Sequence, residues 1–296
     1  MPLKFLCILL LLPTLLSAPA SGAMADSKQA VAPVRIGVTP VILDDHLDFL
    51  QNWQHYLEDK LQKPVEFVQR RSYQQVVDLL LAGNIDFAWL CGYPFVQHKQ
   101  QFRLLAVPLF KHKPLYRSYL IVGKADTGTR QISDLEGKVF AYSDPNSNSG
   151  YLVPQYQLLH QMIDPNHFFR KAFFTWSHRD VIRAVAEGVA DAGAVDGYIW
   201  ETLARTSPEL VKGTRVAWKS PRYGFPPVVA LRSLPDKYFT QVRDAFIQMR
   251  NDRDGQRLLK KLNLDGFSVE DPGLFDSIES NMHFIQDAAR LNVTQP

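Results

Sequence analysis

Cysteine is scarce: Cys7 and Cys91 are the two in a chain of 296 residues. Cys7 lies inside an N-terminal apolar run that reads as removable, so the mature chain keeps one thiol and no intramolecular disulfide can form. Its place within the run, away from any processing site, also argues against a lipid-anchored cysteine. A solitary buried cysteine acts as a small hydrophobe, and that is the role expected of Cys91. Neither sign of charge is in excess: 33 basic residues face 30 acidic ones, and loss of Lys4 narrows the difference further. Such a balance excludes the electrostatic footprint of a nucleic-acid binder or of a protein held on an anionic membrane. His46, His98, His112 and His167 are scattered without ligand spacing, so no metal centre is expected. G-x-S-x-G, a Walker-type loop and H-E-x-x-H are also missing. A Ser149–His178–Asp196 trio can be assembled on paper, but only geometry makes such a trio a triad. Neither an enzyme nor a cofactor is expected.

No stretch has the length of a membrane-spanning helix. The N-terminus has a different character. Lys4 precedes an apolar run from Phe5 to Leu16, then come small residues and Ala23-Met24-Ala25. This is the charged, apolar and small-residue order of a secretory signal peptide, expected over residues 1–25, with cleavage after Ala20 as the second choice. The exported product is then a soluble, disulfide-free protein. Its 46% hydrophobic and 21% charged content is globular, enough for one large or two medium domains.

Apolar periodicity predicts an α/β fold with a mostly parallel sheet. Val34–Val38 reads as a strand, and Leu43, Leu47, Leu50, Trp53, Leu57 and Leu61 as a helix stripe closed by Pro64. A strand at 65–68, a helix capped by Ser72 and stopped by Gly83, and a strand at 85–90 follow. Strands are then expected at 103–110 and 116–123. From Val139 the order begins again: a strand, a helix from about 149 to 162, a strand at 173–176, a helix from His178 to Gly188 and a strand at 192–195. One offset of 105 residues lays the halves on each other without a gap. It carries Thr39-Pro40 onto Asp144-Pro145, Ser72-Tyr73 onto Ser177-His178, Gly83 onto Gly188 and Cys91-Gly92 onto Asp196-Gly197. Two lobes of one topology are expected. Lobe one comprises 34–122 plus 224–296 and lobe two 125–219, with crossings near Gly123 and Pro221.

In open α/β sheets ligands sit beyond the carboxyl ends of the strands, so facing lobes place those ends on opposite walls of one cleft. Thr39, Tyr73 and Cys91-Gly92 fall on one wall; Asp144 to Gly150, His178 and Asp196 fall on the other. The central stretch is Ser143-Asp144-Pro145-Asn146-Ser147-Asn148-Ser149-Gly150-Tyr151-Leu152-Val153-Pro154. Between a strand and a helix start, its hydroxyls, free amides and the helix dipole suit a tetrahedral oxyanion. The same residues also suit a plain N-cap with a polar turn, and both readings stand at this point. Ser147 and Ser149 offer hydroxyls, Gly150 allows close backbone approach, and His178 donates hydrogen bonds. Tyr73 and Tyr116 add phenol donors without charge. Asp196 repels a fully ionised anion, which points to a ligand carrying a proton or an ammonium group.

Asp144 to Pro154 resembles the D-P-N-S-x-S-G-[FY]-L-V-P signature of periplasmic phosphonate-binding proteins, within the phosphate, phosphite and phosphonate substrate-binding family of ABC transporters. The likeness extends to Ser72-Tyr73, Tyr116–Val122, Ser133–Lys138, His178, Asp196 and Trp218–Pro221. The resemblance implies a two-lobed periplasmic-binding-protein fold, type II-like, with two hinge crossings. It implies that Ser147, Asn148, Ser149 and Gly150 hold the phosphorus oxygens, with Tyr73, Tyr116 and His178 as donors and Asp196 facing an amine or protonated oxygen. A small oxyanion and an ABC permease are the implied partners, and the periplasm is the implied compartment. Two readings stand beside it: a sensing subunit for a membrane sensor kinase, and a phosphoester hydrolase. The chain departs from the pattern at Asn148, where threonine is usual, and at Cys91, where tyrosine is usual.

Overall fold

A computed structural model describes residues 32–39 and 47–293. The expected signal peptide, Pro40 and the helix stripe at Leu43 lie outside the described residues.

The first sheet is built from β1 (Val34–Val38), β2 (Val65–Gln69), β3 (Phe87–Trp89), β4 (Phe102–Leu109), β10 (Val228–Leu231) and β11 (Gly266–Ser268), in the order β11-β4-β10-β3-β1-β2. Around it pack α1 (Leu47–Leu61), α2 (Tyr73–Leu81), α3 (Gly92–Gln97), α9 (Asp236–Gln248) and α10 (Arg253–Leu262). Trp53 of α1 is fully buried among Phe49, Phe67, Trp89 and Phe246, the centre of this core. The second sheet holds β5 (Leu115–Gly123), β6 (Val139–Tyr142), β7 (Lys171–Phe174), β8 (Ala192–Asp196) and β9 (Thr214–Gly224), in the order β7-β6-β8-β5-β9. Its helices include α4 (Val153–His160), α5 (Pro165–Phe168), α6 (His178–Ala186), α7 (Gly197–Thr206) and α8 (Pro208–Val211). The C-terminal α11 (Asp276–Val293) packs on both α3 and α4.

Each sheet is mixed rather than mostly parallel. β2-β1-β3 and β7-β6-β8 are parallel, as helical crossovers require. β10 and β5 pair antiparallel to β3 and β8, and β4 and β9 pair antiparallel to β10 and β5 in turn. β5, expected in lobe one, hydrogen-bonds to β8 and β9 of the second sheet, so the crossings run through 110–114 and 225–227 rather than near Gly123 and Pro221. Apolar runs mark a strand but not the sheet it joins, because pairing is long-range. Pro221 does not end β9, since an edge strand tolerates a missing N–H and the register shifts beside it.

The repeat is real at the helices. Ser72 and Ser177 each cap through the side chain, α2 and α6 match end to end at the 105 offset, and Gly83 (φ 69°) and Gly188 (φ 74°) follow them. The first strands are one residue out of step. Arg35 exchanges backbone and side-chain bonds with Asp86, whereas Val139 does so with Asp191. Arg35 therefore matches Val139 and Thr39 falls on Ser143, not Asp144. The gap-free overlay needs one net insertion between the first strand and the second, since strand pairing matches Glu66 with Lys171.

Candidate functional site

After β6 the chain turns through Ser143–Ser147 into one π-helical turn, Asn148–Leu152, that runs on into α4. The predicted helix thus starts with a wider turn. Ser147 caps it: Oγ accepts the Gly150 N–H at 3.0 Å and keeps its own proton to donate. Gly150 is demanded by space, since a Cβ there would stand 1.9 Å from Ser143 Oγ and 3.2 Å from the Ala194 carbonyl oxygen. The loop is thereby pressed against the sheet, and Ser118 Oγ of β5 fixes it by donating to the Ser149 carbonyl at 2.7 Å.

Asn148 is the meeting point. Its Nδ2 donates to the Tyr116 hydroxyl at 2.9 Å, and its backbone N–H donates to Cys91 Sγ at 3.2 Å. Three side-chain oxygens of this loop, Ser143 Oγ, Asn148 Oδ1 and Ser149 Oγ, are buried and lack a protein partner. An unpaired buried polar atom costs about 1–3 kcal/mol, so three in one loop mark a place shaped for a polar group from outside the fold. Burial pushes the Cys91 thiol up to about 11 and raises the Tyr116 phenol well above its ordinary range. Both stay neutral, and the phenol stays a donor.

His178 opens α6 and is buried. Its Nδ1 accepts the Asp196 N–H at 3.1 Å, so the neutral ring carries its proton on Nε2. Burial pulls its pKa down to about 3, which keeps it neutral. Asp196 ends β8 and caps α7, with Oδ1 accepting the Tyr198 N–H at 2.8 Å. Desolvation lifts this carboxyl to about 8 against the pull of the α7 amides. The paper trio of Ser149, His178 and Asp196 is not a triad: Nδ1 faces a backbone amide instead of the carboxylate, and a protonated Nε2 is no base.

Tyr73, also buried, reaches the loop through its backbone, whose N–H donates to Asp144 Oδ2 at 3.1 Å. Asp144 Oδ1 takes the Asn146 N–H at 2.8 Å, and Asn146 Nδ2 donates to Gln74 at 2.9 Å. With the Cys91–Asn148 contact, these bonds tie the first lobe to the second. The structure thus brings Cys91, Tyr116, Asn148 and Ser149 together, sets Asp196 close enough to raise both neighbouring acids electrostatically, and gives Ser147 and Gly150 to the loop's own geometry. Sequence reasoning passed over Ser118 and Ser220, whose Oγ accepts the Ser118 N–H at 2.9 Å. A serine inside an otherwise apolar strand was the available signal.

Two α/β lobes joined by two chain crossings, with a buried polar loop where they meet, have the architecture of a periplasmic solute-binding protein. The chain belongs to the periplasmic substrate-binding proteins of phosphonate ABC transporters, whose family profile matches residues 36–272. It is 25% identical over 198 residues, 64% of this chain and 67% of the relative, to the "Probable ABC transporter phosphite binding protein PhnD1" of Prochlorococcus marinus (strain MIT 9301). The crystal structure of that PhnD1 in complex with methylphosphonate superposes with a TM-score of 0.76 at 20% identity, covering 86% of this chain and 98% of that one. The "Phosphonates-binding periplasmic protein" of Escherichia coli (strain K12) is 26% identical over 71% of this chain and 64% of its own length. A binding protein component of a phosphonate ABC transporter from Pseudomonas aeruginosa superposes with a TM-score of 0.80 at 22% identity, over 90% of both chains. At these identities the two superpositions speak for the fold. The chain spans about two thirds of the curated relatives it matches.

Proposed function

We propose that this protein captures a phosphonate, phosphite or phosphate-like oxyanion between its lobes, in the periplasm, and delivers it to an ABC permease. The observation that carries the reading is the set of buried, unpartnered oxygens on the Ser143–Ser149 loop beside Tyr116 and Cys91. The Ser147 and Ser149 hydroxyls and the Asn148 amide take the phosphorus oxygens, while the Gly150 amide stays bonded to Ser147 Oγ; Tyr116 and the Nε2–H of His178 add neutral donors, and Tyr73 stands on the opposite wall. Asn148 Oδ1 is an acceptor, which suits a ligand bearing a proton, and the Asp196 carboxyl, kept neutral by burial below about pH 8, sets no negative charge against the anion. The event is non-covalent: the lobes turn about 110–114 and 225–227, and the closed form is what the permease recognises. Release of product from a model phosphoester, lost in Ser149→Ala, would instead make it a hydrolase.

A thermal-shift screen with phosphate, phosphite, methylphosphonate, aminoethylphosphonate and sulfate tests the reading. A ligand at a hundredfold excess over its Kd stabilises the fold by about 2.7 kcal/mol, so at least one phosphorus oxyanion raises Tm by about 5 °C or more. If none of them moves the transition, the oxyanion assignment falls.

A further inference from the structure

Cys91 stands at the start of α3, yet its side chain makes no capping bond to that helix. Its sulfur serves the opposite lobe, accepting the Asn148 backbone N–H at 3.2 Å across 57 residues of sequence. The residue is 3% exposed and its neighbour Gly92 is hemmed in by Ile278 and Phe275, so the thiol has a fixed position. Directly beside this contact lie the two buried oxygens without partners on Asn148 and Ser149. A thiol sulfur is a weak hydrogen-bond acceptor, and a charged oxygen on the same N–H makes a bond roughly twice as strong as a neutral one.

We propose that Cys91 sets the affinity of the site: its sulfur is a displaceable placeholder on the Asn148 amide, which a ligand oxyanion takes over on binding. The inference rests on the oxyanion reading given above and adds the competitor built into the site. Ligand affinity is then set by a difference, the N–H···O bond gained less the N–H···S bond given up. A strong acceptor at position 91 weakens binding and the removal of any acceptor strengthens it. This order is the reverse of what a polar residue gripping the ligand would produce.

Calorimetric titration of the mature chain with phosphate and with methylphosphonate tests this, using wild type, Cys91→Ser and Cys91→Ala, with melting curves to establish that each variant folds. Cys91→Ala is expected to bind tighter than wild type, and Cys91→Ser weaker, each by roughly two- to tenfold, the range spanned by one net hydrogen bond. Weaker binding by Cys91→Ala with binding kept or improved in Cys91→Ser would make residue 91 a direct ligand contact and overturn the proposal. Equal affinities in all three would make it packing alone, with the same consequence. If neither anion binds any of the three chains, the oxyanion reading itself fails, an outcome distinct from binding in the wrong order. Should Cys91→Ser not fold, the Asn148 amide resonance decides: it moves downfield with anion in wild type, as expected when oxygen replaces sulfur, and an unmoved resonance refutes the exchange.

Discussion

Two buried ionisable side chains, His178 and Asp196, give the fold opposite pH dependences. Asp196 has its carboxyl lifted to about 8, whereas an unfolded aspartate titrates at about 3.9. The stability it contributes is complete below about pH 4 and is lost as pH rises through 8. His178, held down to about 3, contributes stability that is present above about pH 6.5 and lost as pH falls through 3. From about pH 4 to 6.5 the two slopes cancel, and above that Asp196 alone remains. Urea unfolding is therefore expected to show a loss on the order of 2 kcal/mol between pH 6.5 and 8.5. Asp196→Asn should abolish most of that loss; an undiminished decline in the variant would assign it to other groups.

The decisive element is the π-helical turn that joins β6 to α4. Its wide first turn places Asn148 and Ser149 inward, and it closes onto the sheet only because residue 150 lacks a Cβ. Gly150→Ala is expected to destabilise by about 1–3 kcal/mol, the usual cost of forcing extra atoms into a packed interior. Anion binding should be lost with it. Ser143→Ala removes the oxygen that the new Cβ would strike and should recover part of the lost Tm. A double variant no more stable than Gly150→Ala would refute this steric account. The strand, the loop and a following helix were all legible from residue types. The π turn was not, because its i→i+5 bonding depends on how closely the loop seats against Ser118 and Ala194.

Over the whole molecule, the lobes meet at the loop through Asp144 to Tyr73, Asn146 to Gln74, and Asn148 to Cys91, and beside the crossings through Tyr198 to the Leu262 carbonyl and Asn263 to Thr202. The crossings are clasped by Phe110, Phe225 and Tyr198, whose rings stand 5.0–6.5 Å apart. Asp144 is a buried tie, as the Asn148–Cys91 contact also is, with its two oxygens shared between the lobes' backbones. Asp144→Ala should shift the ensemble towards an open form, with a larger radius of gyration by small-angle scattering without ligand. Affinity should fall by about tenfold, as loss of a hydrogen bond to a charged group implies. A scattering profile identical to wild type would show that Asp144 does not hold the lobes together.

Apolar periodicity, caps and glycine stops were enough to determine two α/β units in tandem, and the Asp144–Pro154 motif marked the loop that matters. These signals are local, set by the residues that display them. Which sheet β5 joins, the antiparallel return strands, the one-residue insertion in the repeat and the crossings at 110–114 and 225–227 belong to long-range pairing, which local pattern does not encode. The same holds for Cys91. Its residue type suggested a small buried hydrophobe, and only the approach of the other lobe makes its sulfur the partner of the Asn148 amide.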